Sequence, residues 1–147
     1  MVVSTVVSAT AVIDAPAEVV FEQIADPAKQ PDWDGNDNLR ESESGQRVHA
    51  VGDVFVTITT RGHERHNHVV EFEEGRLIAW RPAESGAQPF GHLWRWEVRP
   101  LDDDRTEVTH TYDWTDLTDE SRFPRARATT SERLQASVDR LAQVVAT

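Results

Sequence analysis

Residues Thr5 to Asp14 alternate in character. Val6, Ser8, Thr10 and Val12 share one face, and the more apolar Val7, Ala9, Ala11 and Ile13 share the other. A period of two with one apolar face predicts a half-buried strand. The next stretch, DAPAEVVFEQIAD, changes period. Asp14 is a candidate helix cap, Pro16 suits the first turn and Glu18 places a favourable charge near the N-terminus. Val19, Val20, Gln23 and Ile24 then predict a short amphipathic helix with Phe21 on its flank, stopped at Asp26-Pro27. PAKQPDW predicts a second short helical piece ending at Trp33.

The middle of the chain is β-rich. Strands are predicted over Asn38 to Ser42, Val54 to Thr60, Arg65 to Phe72, Leu77 to Arg81, His92 to Arg99 and Thr106 to Trp114. The connections ESGQ, EEGR, ESGAQPFG and PLDDDR carry turn residues and are short, which favours consecutive antiparallel strands. From Ser121 to Ala146 the period becomes helical, with Arg127, Ser131, Leu134, Val138, Leu141 and Val145 in one stripe. Such a helix would reach roughly 35 Å at 1.5 Å per residue. The order is thus one strand, two short helices, about six strands and one long helix, an α+β fold. The long helix is the only element large enough to cover the sheet's apolar face. A bent antiparallel sheet wrapped around it is the economical arrangement, and it can leave a cavity between sheet and helix.

A length of 147 residues fits one domain, 1–147, with one core. No apolar run approaches the roughly 20 residues of a membrane helix, so membrane insertion is not expected. The N-terminus has neither a basic region nor an unbroken apolar one and does not read as a signal peptide. With no cysteine there are no disulfides, thiolate metal sites or cysteine nucleophiles, and a cytoplasmic setting is the default expectation. The net charge of -11, with basic residues scattered among acidic ones, argues against nucleic acid as a partner. Neither a phosphate loop, a dinucleotide glycine pattern nor a Ser-His-Asp order is present.

Three local patterns carry candidate chemistry. In RGHERHNHVVEFEEG, His63, His66 and His68 have H-x-x-H-x-H spacing; on a strand His66 and His68 would be neighbours, and His63, His92 or His110 could complete a zinc set. A two-residue spacing is permissive, so a polar strand is the preferred reading and no metal is expected. In DWDGNDNLRESE, Asp32, Asp34, Asn36 and Glu43 match calcium-loop positions, but Asp37 stands where glycine is required, so an acidic surface loop is expected. The third pattern is aromatic. Trp94, Trp96 and Val98 share one face of a strand; Val108, His110, Tyr112 and Trp114 share one face of the next. Side by side they form a wall of rings with two polar tips, which Phe55, Phe72, Trp80 and Phe90 could extend.

Longer stretches carry a resemblance. SATAVIDAPAEVVFEQIADPAKQPDW, VGDVFVTI, VVEFEEGRLIAWR and RTEVTHTYDW resemble, in order, the opening, the third strand, the central hairpin and the last strand of the START/Bet v 1-like (SRPBCC) helix-grip superfamily, particularly its polyketide cyclase/dehydrase-like branch. The departures are Arg105 where that family often has Gly, and EEG at a hairpin where Pro is usual. The resemblance spans nearly the whole chain. It implies a curved antiparallel sheet of about seven strands gripping the C-terminal helix around a cavity for a small hydrophobic, ring-containing molecule. Trp94, Trp96, Trp114, Phe72, Trp80, His68 and Ser131 would line it. An enzyme of the cyclase/dehydratase kind would need acid/base and enolate-stabilising groups, and His110, Tyr112 and Arg127 are chemically able to supply them without a cofactor. A third alternative is a stress-response or protein-interaction module, and a homodimer is possible. Fold alone does not choose among these. A closed apolar cavity would favour a carrier, an open one with converging polar groups an enzyme, and a filled core with an exposed apolar patch an interaction module.

Overall fold

A computed structural model describes residues 4–146; Met1–Val3 and Thr147 lie outside the described residues. Seven strands form one antiparallel sheet: β1 (Val6–Ile13), β2 (Leu39–Glu41), β3 (Val54–Thr59), β4 (Glu64–Glu73), β5 (Leu77–Ala83), β6 (Leu93–Pro100) and β7 (Thr106–Asp113), in the order β1-β7-β6-β5-β4-β3-β2. From β2 to β7 every neighbour in the sheet is the next strand in sequence. The first strand closes the order by pairing with the last, Ala9 opposite His110. Helices α1 (Ala17–Ala25) and α2 (Gln30–Trp33) follow β1, with a 3-10 turn over Pro27–Lys29 between them. Helices α3 (Phe123–Ala128) and α4 (Ser131–Val145) end the chain, and α4 packs against β1 and β7. This is the helix-grip α+β architecture. Among the described residues no helix is long and apolar enough to cross a membrane.

The core lies between the sheet, α1 and α4. On β1 the expected inward face holds: Ala9 and Ile13 are buried, and Val7 and Ala11 pack against the core. From α1 come Val20, Phe21 and Ile24, and from α4 Leu134, Val138 and Leu141; these meet Val98, Val108 and Trp96 of the sheet. Burial of each such side chain stabilises the fold by about 1.5–3 kcal/mol relative to exposure.

Three expectations change. Asp14 does not cap α1: Pro16 occupies the cap position without a side-chain hydrogen bond, Phe21 is fully buried and Val19 is exposed. The predicted C-terminal helix is broken. Thr129 and Thr130 leave helical geometry, and the Thr130 hydroxyl accepts from the Arg133 amide, starting a separate 15-residue helix. A threonine side chain that satisfies a free first-turn amide begins a helix better than it continues one. α4 therefore spans about 22 Å, and Arg127 and Ser131 are both exposed.

The third change is a bulge in β4. The register against β5 shifts between Val69 and Glu71. An extra residue reverses which face the following side chains take. Asn67 and Val69 point inward while Phe72, beyond the bulge, also reaches the interior against Phe21, at 5.9 Å between ring centres. His66 and His68 lie on the other face, and His66 contacts Glu64 at 2.9 Å. Gly75, at φ +80°, supplies the left-handed turn that ends this strand's hairpin.

One close approach holds the helix in place. Gly35 lies so near the α4 backbone that an added Cβ would collide with the Ala136 carbonyl. Its amide donates to Ser137 Oγ at 3.1 Å, and Asn36 Nδ2 donates to the Arg133 carbonyl at 2.8 Å. Gly35→Ala is expected to destabilise the protein by about 1–3 kcal/mol, as overpacking does, read as a Tm several degrees lower; an unchanged Tm would contradict this packing.

Candidate functional site

Beyond the core, sheet, α4 and the loops that flank them enclose a cavity of about 370 Å³. Its floor is the inward face of β6 and β7. Cross-strand pairing sets Trp94 opposite Tyr112 and Trp96 opposite His110, the geometry in which aromatic pairs meet. Trp94 and Tyr112 lie 4.4 Å apart; His110 stacks on Trp96 at 3.8 Å and runs nearly parallel to Trp94 at 5.6 Å. Trp80 and Pro82 of β5 extend the floor, Asn67 and Arg65 of β4 and Thr57 and Thr59 of β3 form the side wall, and Leu134, Ser137 and Arg133 of α4 form the roof. Exposed residues at the rim, among them Arg61, His63 and Arg125, leave the mouth open to water.

His110 is buried, and its Nδ1 lies 3.0 Å from the Arg95 carbonyl. A carbonyl can only accept, so Nδ1 carries the proton and Nε2 the lone pair. Burial lowers the imidazole to about 4, against which the Arg95 hydrogen bond works weakly. The ring is therefore neutral at pH 7. Burial also pushes the Tyr112 phenol up to about 12, despite the opposing Arg122 and Arg125, so it remains a proton-bearing donor. His92, near the mouth, is lowered to about 4 by burial and then by the Arg122, Arg65 and Arg81 charges. The indole Nε1 of fully buried Trp96 has no hydrogen-bond partner. A base form, a donor and a neutral hydrophobic wall thus share one space.

The structure brings Trp80, Trp94, Trp96, His110 and Tyr112 together in the lining. It does not bring the others there. His68 faces away because the inward face of β4 is the Arg65-Asn67-Val69 side. Phe72 packs on α1. Trp114 is buried against Phe123 at 5.8 Å, at the base of α3. Arg127 sits over Phe123 at 5.7 Å on the outer side of α3, and Ser131 is exposed in the first turn of α4. Helix periodicity misplaced the last two, since it ran straight through the break at Thr129. Among the described residues no group of three or more His, Asp or Glu is placed to hold a metal ion. The acidic loop has an internal role: Asp34 accepts from the amides of Asn36, Asn38 and Leu39 at 3.2, 2.6 and 2.7 Å.

Sequence reasoning missed Arg65, Asn67, Arg122, Arg125 and Arg133, and raised His92 only as a zinc ligand. The alternation of Arg65, Asn67 and Val69 was available as a signal, but it competes with the equally regular His66-His68-Val70 face.

A family profile described as polyketide cyclase/dehydrase and lipid transport matches residues 4–146. The chain belongs to this polyketide cyclase/dehydrase and lipid transport family. An uncharacterized protein of Mycobacterium tuberculosis is 29% identical over 111 residues, 74% of this chain and 47% of its own length. The chain thus spans about half the length of the curated relatives it matches. Two solved structures share the fold. The ZhuI aromatase/cyclase of a Streptomyces species has a TM-score of 0.69 at 18% identity, covering 96% of this chain and 93% of that one. Norcoclaurine synthase of Thalictrum flavum, in complex with a transition-state analogue, has a TM-score of 0.66 at 17% identity, covering 98% and 95%.

Buried His110 and half-buried His92 of this family member predict a distinct acid response. Both fold with values below their ordinary 6.5, so the unfolded chain takes up protons first as pH falls. Their contribution is fully present above pH 6.5 and is lost between pH 6.5 and about 4, by about 3 kcal/mol for each ring. His110→Gln should fall less steeply in Tm across that interval than the parent protein; superimposable slopes would contradict a buried neutral His110.

Proposed function

We propose that this protein binds a small, ring-containing molecule in the cavity between sheet and α4. The observation that carries this reading is the unfilled space of about 370 Å³ faced by Trp80, Trp94, Trp96, His110 and Tyr112. That volume lies in the range of small-molecule sites, and a mostly aromatic floor with a few polar tips is what orients a flat ligand. A filled core would have supported an interaction module instead. Among the described residues the large exposed apolar side chains are Val6 and Val12 on β1, Val19 on α1, Val54 on β3, Val70 on β4, and Val51 and Leu101 between elements.

A cyclase or dehydratase is the second reading, supported by one specific arrangement. His110 presents an unprotonated Nε2 and Tyr112 a firmly protonated phenol, on adjacent strands beside the space a ligand would fill. In such chemistry Nε2 would take a proton from a carbon next to a carbonyl while the phenol donates a hydrogen bond to the developing enolate oxygen. A base lowered to about 4 is weak, so the donor would carry much of the stabilisation. Arg127, on the outer side of α3, has no part in this version. The fold shared with the ZhuI aromatase/cyclase supports this second reading.

Native mass spectrometry of the protein purified from its own host tests the reading. The expected result is a co-purified small molecule, with Trp94→Ala weakening its binding about tenfold or more by removing a ring from the floor. An empty protein that also ignores a library of aromatic probes would sink it.

A further inference from the structure

The chain carries 26 acidic residues against 15 basic ones. On the outer face of the sheet several guanidiniums meet carboxylates. Arg95 meets Glu71 at 2.7 Å, Arg99 meets Glu107 at 3.1 Å and Arg81 meets Asp116 at 3.2 Å. The cavity reverses the pattern. Five arginines line it, Arg61, Arg65, Arg122, Arg125 and Arg133, with one carboxylate, Asp34. Both Asp34 oxygens are already occupied by backbone amides. Among the described residues neither Arg65, Arg125 nor Arg133 forms an ion pair with a carboxylate. Arg122 has only long contacts, 3.8 Å to Glu84 and 3.6 Å to Asp119, and its Nε is buried without a hydrogen bond.

These cations are also gathered. Arg122 lies over the Phe90 ring at 3.5 Å and Arg65 approaches the same ring at 5.5 Å. Phe90 in turn stacks on His92 at 5.9 Å. Burial first, then the Arg122 and Arg125 charges, disfavour the charge on Arg65, and Glu84 opposes them. Like charges held together beside a buried neutral histidine are costly unless something anionic joins them. Glu84 and Asp119, 3.8 and 3.6 Å from Arg122, offset this in part, and Arg65 still stays below its usual value.

We infer that the ligand is an aromatic acid, its ring on the Trp94-Tyr112 floor and its anionic group at the mouth, between Arg65, Arg122 and Arg125. This rests on the cavity-binding reading above and narrows it from ring-containing molecules to anionic ones. A planar guanidinium donates two parallel hydrogen bonds to a carboxylate, and in a half-buried site such bonds are stronger than neutral ones.

Two dyes with one ring skeleton separate the two claims: 8-anilinonaphthalene-1-sulfonate, whose sulfonate stands in for the carboxylate, and neutral N-phenyl-1-naphthylamine. Fluorescence titration should show the sulfonate binding about tenfold tighter or more. Arg65→Gln and Arg125→Gln should each weaken the sulfonate at least about fivefold and leave the neutral dye unchanged, whereas Arg76→Gln, an exposed arginine outside the cavity, should change neither. Two variants are used so that a fold defect in one, visible as weaker binding of both dyes, does not decide the outcome. Equal affinity for the two dyes, or sulfonate binding indifferent to Arg65 and Arg125, would overturn the anionic assignment while leaving the cavity reading intact. Binding of neither dye would overturn both.

Discussion

The structure depends on how the sheet closes over α4. That helix enters the core along its length, through Leu134, Val138 and Leu141. It is also held by polar contacts from the loop after α2, the Gly35 amide on Ser137 and Asn36 on the Arg133 carbonyl. Apolar packing draws helix and sheet together, while the polar loop fixes the position of the helix. The cavity lies beside these contacts, with Asn36, Arg133, Leu134 and Ser137 in its lining. Interiors normally pack to crystal-like density, so a persistent space needs such a support, and here Asp34 stiffens the supporting loop through three backbone amides.

That arrangement also sorts the chemistry. Toward the core the cavity floor is aromatic and neutral, with His110 held in one tautomer by the Arg95 carbonyl. Toward the mouth it is cationic. A flat ligand with one charged end would meet complementary surfaces in sequence, and burial of its ring would strengthen the contacts at its charged end by excluding water. Both readings of the function, carrier and cyclase, use this same gradient. They differ in whether the Nε2 of His110 meets a carbon acid or merely a ring edge.

Much of the fold was legible because alternation is a strong signal wherever one face of a strand is clearly apolar. Trp94, Trp96, His110 and Tyr112 fell on one face by period alone. The failures have physical causes. In β4 both faces mix polar and branched residues, and an unseen bulge after Val69 lets Asn67 and Phe72 face inward together while His68 does not. In the C-terminal segment Thr129 and Thr130 resemble ordinary helical positions until the hydroxyl of Thr130 finds the Arg133 amide, and that break puts Arg127 and Ser131 outside. The positive mouth was illegible for another reason. Its arginines come from β4, the segment leading into α3, α3 and α4, and a net charge of -11 averages over the whole molecule.

The most direct test of the central claim, an open cavity that takes a ring with its acid at the mouth, is a crystal structure soaked with 4-iodobenzoate, located by the anomalous signal of iodine. The account predicts an iodine peak inside the cavity beside Trp94 and His110, with the carboxylate toward Arg65 and Arg122. A cavity left empty or closed by side chains at saturating ligand, with iodine found only on the outer surface, would contradict it.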